Sequence, residues 1–220
     1  MSLQHRAIEP SEDETISSAG LELEQKIKQQ IAEKNKTKAA RRRMMHRRTL
    51  TLQFYELENG LFEIEGRLRD IKTDPFKRVL YQEPWPPGEP IHDIKVHLIV
   101  DRDMLVHDLW ADMQATPFRL CLQAQATLTP LIGRRIAKGW NKAVRDTLGG
   151  SQSCTHIMEM LGPMATTAFQ GLAPQRMEDM NRPENEHLRV GKVDSCFTYG
   201  AQRTVVAQIW PHLHKPENDN

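Results

Sequence analysis

The sequence predicts an α+β protein in which an antiparallel sheet of two hairpins is followed by packed helices. Apolar residues alternate with polar ones in two segments, residues 49–72 and 91–113, and helical patterns broken by glycine and proline come after them. Strands first and helices afterwards are typical of α+β folds, in which helices cover one face of the sheet. The sequence therefore predicts one α+β core domain at residues 48–180.

The chain before this core is polar and divides into two parts. Residues 1–20 are acidic and rich in serine, so we expect them to be disordered. Residues 21–47 place Leu23, Ile27 and Ile31 at helical spacing and end in a dense run of lysine and arginine, which predicts a basic amphipathic helix. Its thin apolar stripe favours a homodimer or a partner-binding arm.

Two hairpins are expected in the core. In the first, Leu50, Leu52 and Phe54 alternate with polar residues, "ENG" supplies a turn, and the alternation resumes in "LFEIEGRLRDIK". The proline-rich "QEPWPPGEP" predicts an irregular loop. The second hairpin joins "IHDIKVHLIV" to "MLVHDLWADM" through the turn "DRD".

The helices are expected after the second hairpin. Residues 120–150 predict one or two helices broken by Pro130 and Gly133, and "CTHIMEMLGPMATTAFQGL" predicts the last long helix, with a kink at its Gly-Pro pair. Residues 181–220 predict a C-terminal extension that packs on the core and contains a short apolar helix.

Charge and cysteine content indicate a cytoplasmic protein. The 30 Lys and Arg nearly balance the 29 Asp and Glu, so we expect neither nucleic acid nor a membrane as partner; the basic run suits a solvated helix end. No apolar stretch of membrane-spanning length and no secretory signal is present. Three cysteines form an odd set without a pairing pattern, which favours a reducing compartment.

Two strand ends carry candidate catalytic residues. Alternation puts Asp70 and Lys72 on one face, either as a surface ion pair or as a lysine that acts on a substrate oxygen. His92 opens the third strand in register with its apolar face, whereas Asp93 points the other way. A histidine is well matched to proton transfer near neutral pH, although a histidine bonded to a backbone carbonyl would fit the same position.

A third candidate is the helix start Cys154-Thr155-His156. Free N–H groups and the positive end of the helix dipole lower a cysteine pKa and bind anions, but capping alone explains serine and threonine there. We favour His156 over Cys154 for direct chemistry. There is no CxxC or HxxxH spacing, so a metal site would combine distant segments.

Several segments resemble a bacterial family of domains of unknown function. "GEPIHDIKVHLIVDRDMLVHDLWADMQATPFRLC", "LIGRRIAKGW" and "SCTHIMEML" carry the resemblance, and the C-T-H-L-type helix start is its hallmark. It covers roughly Arg47 to Trp210. Some members belong to aromatic-compound catabolism, so the resemblance implies formaldehyde-releasing lyase chemistry on lignin-derived diaryl diols.

The order of elements is also similar to that of iron–sulfur cluster scaffold proteins. Asp93 matches the motif aspartate, Cys121 the second cysteine, and Cys154 the cysteine at the late helix. Ile91 stands in place of the first cysteine and Ser153 in place of the motif histidine, so cluster assembly would lack two ligands. The likeness implies a scaffold-like fold, and nearby histidines extend it to an alternative metal set: Asp93, Cys121, Cys154 and His156.

Three functions follow from these residues. The first is a cofactor-independent lyase in which His92 or His156 is the base, Lys72 holds an oxyanion, and Asp70 or Asp93 orients them. Its aromatic substrate would contact Tyr55, Phe118, Trp140 and Thr155. The second is a metal or iron–sulfur binding protein, and the third is a non-catalytic protein whose basic helix docks on a partner.

Overall fold

The computed structural model describes residues 18–36 and 42–216, which fall into two compact units. One unit comprises residues 43–182 and contains the sheet; the other comprises the described residues before residue 43 and after residue 182. Of the segment predicted to be disordered, residues 1–17 lie outside the described residues, and residues 18–20 are helical, so the prediction is wrong for these three.

A four-stranded antiparallel sheet forms the framework of the first unit. Its strands are β1 (His46–Glu56), β2 (Phe62–Lys72), β3 (Pro90–Val100) and β4 (Val106–Ala115), and they lie side by side in chain order. Gly60, with φ of +80°, closes the turn between β1 and β2 in the left-handed region that glycine tolerates. The predicted α+β class with an antiparallel sheet is confirmed.

Strand β1 begins within the stretch that the sequence predicted to be helical. Helix α1 spans Ser18–Lys36, and residues 42–45 are not helical, so the predicted helix at residues 21–47 is too long. His46 already pairs with Lys72 of β2, and the Met45 carbonyl accepts a hydrogen bond from the Thr73 backbone N–H at 3.4 Å. Pairing along β2 therefore overrides the helical pattern of the basic run, and the last three residues of that run, His46, Arg47 and Arg48, join the sheet.

Three helices follow the sheet in this unit; the second of them packs on the strands and the other two contact that helix. They are α2 (Trp140–Leu148), α3 (Thr155–Gly171) and α4 (Ala173–Asn181). The segment predicted as broken helix before α2 contains 3₁₀ turns at Arg119–Thr127 and Thr129–Leu131. Helix α3 continues through its internal proline, where the sequence had predicted a kink.

Helix α3 lies close against the middle of the sheet. It packs on β1, β2 and β3 and buries Ile157, Met160 and Leu161. A Cβ at Gly66 of β2 would lie 2.9 Å from the Met160 Cε, so glycine there permits the close approach. This packing holds the N-terminus of α3 near the sheet edge where β2 ends and β3 begins.

The other sheet face is polar. Its side chains form cross-strand pairs, such as the His97 Nδ1 to Glu63 Oε1 contact at 2.7 Å, and the His97 ring stacks on Trp110 at 4.7 Å. One face packed on helices and one face solvated is typical of antiparallel sheets.

The second unit contains α1, α5 (Glu186–Lys192) and α6 (Thr204–Ile209). The apolar residues of α1, including Ile27 and Ile31, are exposed. Among the described residues no helix combines the length and the apolar character needed to cross a membrane. The packing of residues 181–220 on the core and a homodimer through α1 stay predictions.

Candidate active site

A buried carboxylate, Asp70, stands at the centre of the site. Its side chain is 2% exposed and accepts four hydrogen bonds. Arg48 donates from Nε to Oδ1 and from Nη2 to Oδ2, both at 2.8 Å. His46 Nε2 lies 3.1 Å from Oδ1, and His92 Nδ1 lies 3.0 Å from Oδ2. The lone pairs of this carboxylate are therefore fully used, as a buried charge requires.

The strand register explains why these side chains meet. Arg48 of β1 is opposite Asp70 of β2, and Asp70 is opposite His92 of β3. Residues directly opposite one another in a sheet project to the same face. A β-bulge follows Asp70 and ends the regular pairing at this edge, where bulges commonly re-aim side chains near active sites.

The pKa of Asp70 shows that the cluster holds a carboxylate ion at neutral pH. Burial raises the pKa, but the hydrogen bonds and positive charge of Arg48, with the contribution of His92, outweigh burial and lower the pKa to about 2. An ionised carboxylate can only accept hydrogen bonds.

His92 is consequently held as a neutral base. Burial lowers its pKa, the neighbouring His156 and Arg48 lower it further, and Asp70 only partly opposes them. Because ionised Asp70 must accept, neutral His92 carries its proton on Nδ1 and keeps the lone pair on Nε2. A histidine oriented in this way by a carboxylate is the arrangement used in general-base catalysis.

Acid should destabilise the fold through these two groups. A pKa that is lower in the folded state gives stability that is present above the unfolded pKa and lost as pH falls through the folded value. For Asp70 the loss runs from about pH 4 to about pH 2 and amounts to about 2 kcal/mol; for His92 it begins below about pH 6.5. Urea unfolding of the wild type between pH 2 and 7 measures both steps.

The variant Asp70→Asn should lack the step between pH 4 and pH 2. Asp112→Asn, which removes an exposed carboxylate from β4, should retain that step. An unchanged acid slope in Asp70→Asn would contradict the assignment.

The N-terminus of α3 brings a second histidine to the cluster. The His156 ring lies 3.9 Å from the His92 ring, centroid to centroid, and its Nε2 lies 3.7 Å from Asp70 Oδ2. Its Nδ1 lies 3.7 Å from the Sγ of Cys154, the N-cap residue. Burial raises the Cys154 pKa, but the hydrogen bond from His156 and the backbone N–H groups of the helix start outweigh it, so the thiol pKa is lowered.

Two clefts meet at the paired histidines. The larger, about 660 Å³, lies towards α3 and is lined by Phe118, Cys121 and Thr155 among others. The smaller, about 340 Å³, lies towards the end of β2. Both contain His92, His156, Pro117 and Phe118, so the two histidines are accessible from either side.

Most of the predicted catalytic residues converge here. Asp70, Lys72, His92 and His156 all line the smaller cleft. Phe118 lines both clefts, and Thr155, the first residue of α3, lines the larger one. Lys72 is not paired with Asp70, which is occupied by Arg48 and the histidines.

Three predicted residues lie elsewhere. Asp93 projects to the opposite sheet face, where it pairs with Arg67 Nη2 at 2.8 Å and Arg69 Nε at 3.1 Å, because neighbouring residues of β3 alternate in direction. Trp140 is buried in the core, with Nε1 donating to the Leu161 carbonyl at 3.1 Å. Tyr55 is exposed on β1 and lines neither cleft. Asp93 as an orienting carboxylate, and Tyr55 and Trp140 as substrate contacts, are therefore corrected.

The alternative metal set does not assemble. Cys121, Cys154 and His156 line the larger cleft, but Asp93 is on the far side of the sheet. The described residues instead bring together Asp70, His92 and His156, whose ligand-type atoms all lie within 4.8 Å of one another.

The sequence reasoning missed His46 and Arg48. Both had been assigned to the end of the basic helix or to the domain boundary. The signal that would have identified them is the alternation of Leu50, Leu52 and Phe54, which extends backwards to positions 48 and 46 on the same face. Arg48 also reaches α3, where Nη1 lies 3.1 Å from Glu159 Oε2.

Fold and site together define an α+β protein with a carboxylate–histidine cluster between two clefts. A family model described as "Protein of unknown function (DUF2889)" matches residues 46–170, more than half of the chain, and the chain belongs to that family. The match begins at the first residue of β1 and ends near the end of α3, so it contains every residue of the cluster. No curated protein and no solved structure matches the chain.

Proposed function

We propose that the protein is a cytoplasmic, cofactor-independent lyase that releases formaldehyde from a small phenolic diol. The observation that carries the proposal is the Asp70–His92 pair at the junction of two clefts, with Nδ1 and Oδ2 3.0 Å apart. A neutral histidine held by an ionised carboxylate, and open to a cavity, is suited to remove a proton from a substrate hydroxyl.

Two neighbouring imidazoles match the proton balance of this reaction. A diaryl propanediol bound as its para-phenolate loses its benzylic hydroxyl as water when His156 protonates that hydroxyl, which gives a neutral quinone methide. His92 then removes the proton of the terminal hydroxyl, the carbon–carbon bond breaks, formaldehyde leaves, and the electron pair returns the quinone methide to the phenolate of an aryl alkene. One proton is given and one is taken, and transfer of the proton from His92 to the neighbouring His156 ring, 3.9 Å away, restores the starting state of the enzyme.

The clefts suit such a substrate in size and lining. The larger, of about 660 Å³, falls within the range of small-molecule sites and presents Phe118, Met113 and Leu120 as apolar contacts. Lys72, in the smaller cleft, supplies a cation that can hold an oxyanion of the substrate. The resemblance to family members in aromatic catabolism supports the same chemistry.

Product analysis tests the proposal. Purified protein incubated with a lignin-derived diaryl diol should release formaldehyde and an aryl alkene in equal amounts. The analogue whose para-hydroxyl is methylated should give neither, because it cannot form the quinone methide. Equal release from both compounds, or no release from a panel of phenolic diols, would overturn it.

A metal centre is the second candidate, and one observation favours it. The spacing of Asp70, His92 and His156 suits a divalent ion with nitrogen and oxygen ligands. An ion would have to displace the His92 proton, because the Asp70 oxygens already accept four hydrogen bonds. Elemental analysis of anaerobically purified protein tests this candidate. Stoichiometric metal that is lost in His156→Ala would support a metal centre, and active protein without metal would rule it out.

A further inference from the structure

The smaller cleft carries positive charge that the described residues do not balance. Lys72, Lys77 and Arg78 line it, and none of the three forms an ion pair with a described carboxylate. Arg48 also lines this cleft, but its charge is shared between Asp70 and Glu159. The cleft therefore carries more positive charge than is needed to balance the charge of Asp70.

Asp70 does not cancel this excess. It is the one carboxylate among the described residues that line the cleft, and its four hydrogen bonds already satisfy it. The bidentate contact with Arg48 neutralises its charge. An anion in the cleft would therefore meet three unpaired cations and one compensated carboxylate.

Arg78 is held in place by aromatic stacking. Its guanidinium carbon lies 3.7 Å from the centroid of Tyr81 and 4.6 Å from that of Trp85. Stacking fixes the plane of a guanidinium and leaves its N–H edge available for an oxygen acceptor. The Arg78 Nε is buried and has no hydrogen-bond partner among the described residues, and a buried donor without a partner is costly.

The loop that carries Arg78 is anchored to the sheet. Phe76 and Trp85 exchange backbone hydrogen bonds of 3.0 and 2.8 Å, and the Gly88 N–H donates to the Lys72 carbonyl at 2.9 Å. The cations of the loop and of β2 therefore face the cleft from a fixed framework, as a preorganised binding site requires.

We propose that the smaller cleft is a subsite for a carboxylate carried by the aromatic substrate. The identity of the aromatic body rests on the proposed function; the charge of the anchored group rests on Lys72, Lys77 and Arg78 alone. A carboxylate bound there places the attached ring at Phe118, which lines both clefts, and beside His92. The substrate class is then a phenolic diol that also carries a carboxylate.

Calorimetric titration with benzoate and its neutral isostere benzamide tests the subsite. Benzoate should bind at least about tenfold more tightly than benzamide, the effect of one charge-assisted hydrogen bond. Lys72→Gln and Arg78→Gln should each weaken benzoate binding by about tenfold and leave benzamide unchanged. Lys77→Gln, at an exposed position of the cleft, gives a third test that does not disturb the stacked loop.

Lys142→Gln is the matched control. It removes one positive charge from α2, where the exposed Lys142 pairs with Asp146 outside both clefts. Benzoate affinity should not change in this variant. Equal affinity for benzoate and benzamide, or a benzoate affinity insensitive to all three cleft variants, would overturn the subsite.

These results are separable from those on turnover. Selective benzoate binding without formaldehyde release from any diol would overturn the proposed function and leave the subsite standing. Formaldehyde release without selective benzoate binding would overturn the subsite and leave the proposed function standing.

Discussion

Replacing His92 with alanine will reduce formaldehyde release by a factor of about 10² to 10⁴, the usual contribution of a positioned general base. The alanine variant keeps Asp70 paired with Arg48 and His46, so the buried carboxylate still has three of its four hydrogen bonds. The fold should therefore survive, which circular dichroism and thermal unfolding will show. Initial rates of formaldehyde release measure the loss.

His107→Ala is the matched control for this experiment. His107 of β4 is followed by an aspartate, as His92 of β3 is, but its side chain is 40% exposed and its Nε2 lies 2.9 Å from Asp101 Oδ2, away from both clefts. Its variant should turn over at the wild-type rate. Added imidazole should partly restore His92→Ala, because it can occupy the vacated space as a base. Undiminished turnover in His92→Ala, or an equal loss in His107→Ala, would contradict the role of His92.

The sheet and half of the site could be predicted, because the alternation of apolar and polar residues along a strand determines which side chains share a face. Alternation placed His92 on the apolar face of β3 and put Asp70 and Lys72 on one face of β2. The helix start predicted at Cys154-Thr155-His156 placed His156 in the first turn of α3, where the structure has it. In each case a local pattern determines which way the side chain points.

The other half of the site, His46 and Arg48, could not be predicted, because local patterns place the start of β1 at the wrong residue. Residues 42–48 continue a basic, helix-compatible run, and β1 is an edge strand exposed along most of its length. Without a strong contrast between its two faces, the strand shows no clear start, so His46 and Arg48 were assigned outside the sheet. Only the pairing of β1 with β2 shows that these two side chains reach Asp70.

Burial explains why Trp140 was wrongly predicted to contact the substrate. Trp140 and Phe118 are both aromatic residues close to helical segments, and nothing in the sequence tells a core position from a cleft wall. Trp140 finds a carbonyl for its indole N–H inside the core, whereas Phe118 stays partly exposed. For Asp93 the direction of the side chain was predicted correctly, but its ion-pair partners on that sheet face, Arg67 and Arg69, were not considered.

Arg48 is the residue on which the charge state of the cluster depends, and its replacement should have the second large effect. In Arg48→Met the Asp70 carboxylate keeps only histidine partners, so its pKa should rise, since Arg48 supplies most of the lowering. Breaking a buried ion pair typically costs about 3–5 kcal/mol. Arg48 is 41% exposed, so water will screen part of this and we expect a loss of about 1–3 kcal/mol. Urea unfolding at pH 7 measures it.

Arg47→Met separates this effect from the loss of any arginine on β1. Arg47 is the neighbouring residue, is exposed, and lies opposite Ile71 on the other face, so its replacement should change stability by less than about 0.5 kcal/mol. The double variant Arg48→Met, Asp70→Asn should be more stable than Arg48→Met alone, because it removes the carboxylate that Arg48→Met leaves uncompensated. Strictly additive losses in this cycle would mean that Arg48 and Asp70 are not coupled. The ionised state of Asp70, and with it the proton on Nδ1 that makes His92 a base, would then need another cause.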